Sequence, residues 1–328
     1  MTSKKKIISL LIKFISFLII IFLLYLYLKD KFSFSFFISS ITNLSWIELG
    51  IILFITNAII ILRAYNWKII LNTTKNNVKL KFAKYLSPIY ASQALNIVIP
   101  GKGGELIRFF YVRDYFKTGF CVGSILFERI IDLLCLLIFS VSGIFIIKNI
   151  YTTIFSLAGL IGLILILIIF FKKKVFNKFK NLIFKKVKSK KIQNVFNDFG
   201  DFYQEIGAKK KKLILFVLFS IVGWVISIIQ CFLMLKFLGI NLSFLSVLSR
   251  IPIGILITLI PVSFGGLGTR EAAFLFLFDT LITPEKIITF SLLFYFSRIL
   301  FQGLIGIIPL VNIKSKKKNT LIKNENLN

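Results

Sequence analysis

Three features predict that this chain folds as an all-α, polytopic helical membrane protein of about 6–8 spans. First, 57% of its 328 residues are hydrophobic and 16% aromatic, above the roughly 45–50% apolar content of soluble domains. Second, the apolar residues gather in runs close to the roughly 20 residues that a helix needs to cross a bilayer core. Third, 42 Lys+Arg against 13 Asp+Glu leave a net charge of +29, carried mostly by lysines between the runs. So apolar a chain is not a disordered basic protein, because chains stay disordered when they have too few apolar residues to bury. Nor does the charge point to nucleic acid, since the lysines are dispersed along membrane-proximal loops with no recognisable module. The absence of His excludes imidazole-based triads and metal sites. Cys121, Cys135 and Cys231 lie in apolar stretches and read as small buried hydrophobes. No cofactor and no metal is expected.

The first run, Ile7–Leu28, follows Lys4, Lys5 and Lys6. It exceeds the about 7–15 residues of a signal-peptide core and no A-x-A-like site follows, so it reads as a retained span. The next runs are Trp46–Leu62, Phe120–Ile147, Ile154–Phe171, Leu213–Leu235, Val247–Ile260 and Ile287–Ile313. Two others, Tyr85–Ile99 and Ala272–Ile282, are short for a full crossing.

Charge orients these runs. With the amino terminus inside, the inner segments hold four Lys in 1–13, then Arg63, Lys68, Lys75, Lys79, Lys81 and Lys84, fourteen Lys in 172–212, and five after Ile313. The outer loops hold only Lys29, Lys31, Lys148, Lys236 and Lys286. This asymmetry places both termini in the cytoplasm of a cell-membrane protein. The chain thus reads as a single transmembrane domain over 1–328. Residues 46–147 form a first repeat, 172–212 a basic cytoplasmic loop, 213–313 a second, inverted repeat, and 314–328 a basic tail. Apolar residues from Val175 to Val187 recur at helical spacing among the loop lysines. They suit an ordinary positive-inside loop more than a surface helix against anionic lipid, and the loop has room for a short helix that covers the membrane domain from below.

The two halves share a motif. The first reads from Ala94 through Pro100-Gly101-Lys102-Gly103-Gly104-Glu105 to Arg108. The second reads from Thr258 through Pro261, Gly265, Gly266 and Gly268 to Arg270-Glu271. In each, Pro ends an apolar helix by removing a donor and restricting its predecessor. Glycines then permit a tight reversal. Non-helical backbone at membrane depth is tolerated only beside protein or a water-filled cavity, so each motif predicts a re-entrant hairpin facing a cavity. A second echo follows each hairpin: Phe127-Glu128-Arg129-Ile130-Ile131 and Phe296-Ser297-Arg298-Ile299-Leu300. Inverted repeats with broken helices are a recurring plan of secondary transporters, with the substrate site between the repeats.

Arginine is scarce: Arg63, Arg108, Arg113, Arg129, Arg250, Arg270 and Arg298 stand against thirty-five lysines. Most lie in or beside apolar spans, and a guanidinium is suited to phosphate or carboxylate. Glu128 and Asp132 share a helix face, and Arg129 and Asp132 are three apart and can meet. Arg298 has no acid on its own helix and needs a partner elsewhere: Glu271, Glu128 or an anionic ligand. Arg108 and Arg270 open the stretches after the glycine turns, where free N–H groups favour anions. Equally, Glu105–Arg108 and Arg270–Glu271 can satisfy each other.

Taken in order, N-x-x-x-P-G-x-G-G-E-x-x-R (Asn96 to Arg108), E-R-x-x-D (Glu128 to Asp132) and P-x-S-x-G-G-x-G-x-R-E (Pro261 to Glu271) resemble the lysylphosphatidylglycerol synthase transmembrane region, or flippase-like domain family. The likeness extends over about Leu10 to Ile313. In the multiple peptide resistance factor the related membrane domain is implied to move aminoacylated phosphatidylglycerol to the outer leaflet. By position the resemblance assigns Pro100, Gly103, Gly104, Glu105, Arg108, Glu128, Arg129, Asp132, Pro261, Gly265, Gly266, Gly268, Arg270 and Glu271 to the substrate path, and the charge pattern adds Arg298. No aminoacyl-transfer domain is present in the sequence read to Asn328, so lipid synthesis is not expected. The expectation is a flippase-like transporter of an anionic, aminoacylated or polyprenyl-linked lipid, with anionic phospholipid and a separate lipid synthase as partners. The alternatives are a membrane-embedded transferase, in which Glu105, Glu128, Asp132 and Glu271 supply acid–base chemistry, and a non-catalytic scaffold.

Overall fold

The computed structural model describes residues 34–73, 80–147, 150–171, 190–259 and 266–312. All regular structure among them is helical. In chain order the helices are α1 (Phe34–Thr42), α2 (Trp46–Leu71), α3 (Ala83–Val98), α4 (Arg108–Val112), α5 (Thr118–Ile147) and α6 (Ile150–Phe171), then α7 (Lys190–Ala208), α8 (Lys210–Phe237), α9 (Phe244–Thr258), α10 (Thr269–Phe278) and α11 (Pro284–Tyr295). A 3-10 segment, Pro100–Ile107, joins α3 to α4, and α11 runs on through a π turn at Phe296–Leu300 as far as Asn312.

Four stretches are long and apolar enough to cross a membrane: Trp46–Leu71, Thr118–Ile147, Lys210–Phe237 and Pro284–Asn312. Each contains one of the apolar runs read from the sequence, the last to within a residue. The run Ile154–Phe171 lies within α6, whereas Val247–Ile260 becomes the 15-residue α9, short for a crossing. The first run, the whole 172–187 segment, Pro261, Gly265 and the 314–328 tail lie outside the described residues.

Local chemistry sets the ends of α2. The Ser45 hydroxyl accepts the Glu48 N–H, and the Glu48 carboxylate accepts the Ser45 N–H at 2.8 Å. This reciprocal cap satisfies donors with no helical partner. At the far end the ammonium groups of Lys209 and Lys212 donate to the Thr73 and Asn72 carbonyls, cations at the negative pole of the helix. Part of the loop's positive charge therefore closes a helix instead of facing lipid.

Two apolar cores meet along α5 and α8. One gathers side chains of α5, α8, α9, α10 and α11; the other joins α2, α3, α5, α7 and α8. Phe139 and Trp224 pack against both. Helix α7 buries Phe199, Phe202, Tyr203 and Ile206, with edge-to-face contacts from Phe202 to Phe120 and Phe127. That portion of the basic segment covers the bundle, whereas Val175–Val187, on which the surface-helix expectation rests, lie outside the described residues.

Small residues let α3 and the last helix approach closely. A methyl group on Gly306 would overlap the Tyr90 carbonyl, and one on Gly303 would meet Ile97. Such backbone proximity is the usual means of joining helices where lipid offers no hydrophobic drive. The Tyr111 hydroxyl donates to the Pro309 carbonyl at 2.7 Å and ties the first hairpin to the same helix. Overpacking this contact with Gly306→Ala should cost about 1–3 kcal/mol, read as a lower melting temperature in detergent. Gly50→Ala, at a position with nothing within 4 Å, should cause no such loss.

Candidate functional site

The first glycine turn begins at Pro100, two residues past the last residue of α3. Gly101 and Lys102 both adopt left-handed backbone, with φ of 65° and 56°. Lysine in this region carries steric strain, of order 1 kcal/mol or more. The reversal returns the chain over the end of α3, and Gly104 lies so close that a Cβ would sit 2.8 Å from the Asn96 nitrogen. Glu105 and Arg108 are thereby buried.

Their partners come from three directions. Glu128 on α5 receives Arg63 from α2 at 2.9 Å and Arg108 from the turn, while Glu105 receives Arg63 at 3.3 Å and Arg129 at 2.6 Å. Arg129 also reaches Asp132 at 3.1 Å, one turn on, and Asp132 accepts the Trp224 indole N–H at 3.0 Å. Arg108 stacks over Trp67, 5.6 Å from the ring centre. Three guanidinium groups and three carboxylates thus balance in one cluster. A charge taken out of water is costly unless it is paired, so this balance stabilises the fold.

A second, smaller cluster forms at the other turn, where Gly266 and Gly268 have φ of 78° and 83°. The Gly268 N–H donates to Glu271 at 2.6 Å; Arg270 pairs with Glu271 at 2.7 Å. Ser291 on α11 donates to Glu271 at 2.7 Å and accepts from Arg270 at 2.8 Å. The Arg270 guanidinium lies over Tyr295 and Phe294, at 5.1 and 5.5 Å. Of the two readings open for Arg108 and Arg270, mutual satisfaction with nearby acids is the arrangement found. Arg108 in addition reaches Glu128, which sequence spacing did not suggest.

Arg298 differs. Its expected protein partners were Glu271 and Glu128, yet it donates to the Gln230 side-chain oxygen, at 3.0 and 2.8 Å, and stacks over Phe294 at 5.1 Å. Gln230 is itself held by the Ile52 carbonyl at 2.9 Å and by Thr56, and Gln302 donates to the Thr56 carbonyl at 3.1 Å.

Between the two turns lies a cavity of about 150 Å³. Gln93, Asn96 and Lys102 line it beside the first turn, and Thr258, Gly266 and Arg270 from the second half of the chain. A second cavity of about 90 Å³ adjoins it, walled by Asn66, Glu128 and Asp132. Arg63, Lys102, Trp224 and Arg298 line both. Gly103 and Gly104 shape the first turn and Glu105, Arg108 and Arg129 brace it, while Glu271 braces the second; none of these six lines the larger cavity. Sequence reasoning did not single out Lys102, Trp224 and Gln230; it did pair Gln302 with Arg298 as a polar ridge on the last span. It also placed Arg63 with the cytoplasmic cations, although α2 continues past Leu62 and carries that side chain, 20% exposed, into the cluster.

Removing a carboxylate from the larger cluster strands several arginines. Glu128→Ala should destabilise the protein by about 3–5 kcal/mol in thermal unfolding. Asp114→Ala removes a 78%-exposed carboxylate 3.7 Å from Arg113 and should cost at most about 1 kcal/mol. Equal losses for the two would mean that the cluster contributes nothing.

A search of curated proteins returns no match. Residues 13–306 match the family described as the lysylphosphatidylglycerol synthase TM region, the same family that the three motifs resemble. With apolar helices of spanning length and this match over most of its length, the chain is a helical membrane protein that belongs to the lysylphosphatidylglycerol synthase TM region family.

Proposed function

We propose that the protein is a flippase-like transporter that moves a phosphate-bearing lipid between leaflets of the cell membrane, with both termini cytoplasmic. The two glycine hairpins are re-entrant and belong to halves of opposite orientation. The headgroup enters the cavity between them while the acyl chains stay in the bilayer. The observation that carries this reading is the cavity itself: both glycine turns and four cationic side chains line it, and no carboxylate does among the described residues. A cation-lined concavity at the junction of two broken-helix repeats is where a transporter of this plan holds an anionic substrate. The braced clusters behind it keep the turns rigid, so that gating falls to movement of one half against the other.

The test is leaflet exchange by the full-length protein in liposomes containing fluorescent phosphatidylglycerol. Exchange well above that of empty liposomes is expected. Thr258→Phe, which fills the cavity, should largely abolish exchange and leave the melting temperature close to that of the unaltered protein. Exchange equal to empty liposomes for every phosphate-bearing headgroup tried would end this reading.

A further inference from the structure

We infer that Lys102 and Arg298 form a phosphate site that selects lipids of net negative headgroup over lysyl-esterified ones, and that Gln230 positions Arg298 while leaving its charge uncancelled. The inference rests on the transport reading for its lipid ligand and on a separate charge count for its selectivity.

The larger cluster balances three arginines with three carboxylates, and Arg270 balances Glu271. Among the described residues the cavity walls then retain two cations without a carboxylate partner within 4 Å, Lys102 and Arg298, and both face both cavities. The sequence echo shows how this asymmetry arises. Where the first half has Glu128 before Arg129 and Asp132 three residues after it, the second has Ser297 before Arg298 and Phe301 three after it. Arg129 pairs with Asp132 at 3.1 Å and with Glu105 at 2.6 Å, whereas Arg298 meets a neutral amide.

Gln230 is suited to that task because its oxygen accepts from two nitrogens of the guanidinium while its NH₂ is anchored to Ile52 and Thr56. The π turn at Phe296–Leu300 contains Arg298, a departure from α-helix that is frequent at functional positions. Lys102 is held in strained left-handed backbone that glycine would occupy freely. Two uncompensated cations in a low-dielectric cavity attract a phosphate and repel ammonium groups. Phosphatidylglycerol offers one phosphate charge. Its lysyl ester sets two amines against that charge.

The experiment measures binding to the purified full-length protein by calorimetry, with short-chain phosphatidylglycerol, its lysyl ester, short-chain phosphatidylcholine and inorganic phosphate as separate probes. Phosphatidylglycerol should bind at least about tenfold tighter than the lysyl ester or phosphatidylcholine, the scale of one charged hydrogen bond. Gln230→Glu, nearly isosteric but cancelling Arg298, should lose that preference. Lys102→Gly should melt no lower than the parent, because it relieves backbone strain, yet bind phosphatidylglycerol about tenfold more weakly. Equal or tighter binding of the lysyl ester, or unaltered selectivity in both variants, would overturn the inference. Inorganic phosphate binding as tightly as the lipid would overturn the lipid source of the phosphate. Leaflet exchange is read on the same preparation. Selective binding without exchange would reject transport but keep the site, whereas exchange without charge preference would reject the site but keep transport.

Discussion

The arrangement of this protein depends on one constraint: a carboxylate removed from water must find cations, and the cations must find it. Glu128 and Glu105 meet this constraint with arginines from α2, α5 and the first glycine turn. Their mutual attraction ties these segments together, beside apolar contacts and a few hydrogen bonds such as that from the Trp67 indole to Ser124. The position of the first turn follows. Arg108 and Glu105 reach α5 only because Gly101 and Lys102 reverse the chain within two residues.

The second half uses the same elements with a different balance. Arg270, Glu271 and Ser291 close a compact unit around Gly268. Arg298, the counterpart of Arg129 in the echo, is carried by a neutral amide. Two halves that share motifs but differ in charge enclose a cavity whose polarity is set by the few positions where the motifs diverge. Packing supports this division. The first hairpin and the last helix approach closely at Gly303 and Gly306, and Gly254 of α9 faces the Phe274 ring of α10.

Much of this is legible in the chain itself. Each of the four spanning helices coincides with an apolar run read from composition, and both glycine motifs contain left-handed backbone. The ion pair Arg129–Asp132, three residues apart, follows from helical spacing alone. Arg63 was misplaced because α2 runs nine residues beyond the apolar stretch, its end set by capping lysines from the distant basic segment. Gln230 and Trp224 gave no signal at all: a single amide or indole in an apolar run is ordinary.

Hydropathy and the paired glycine motifs were enough to specify a helical membrane protein whose helices break at two glycine turns, because helix length and turn geometry are local properties of a chain. The sequence could not say which arginine is neutralised and which is left charged. Spans that are apolar on every side carry no periodic mark of the face that packs inward, so partners 65 and 68 positions apart, such as Arg63–Glu128 and Arg298–Gln230, are chosen by how the helices rotate and pack. That choice turned a list of intramembrane charges into a balanced cluster and a cationic cavity.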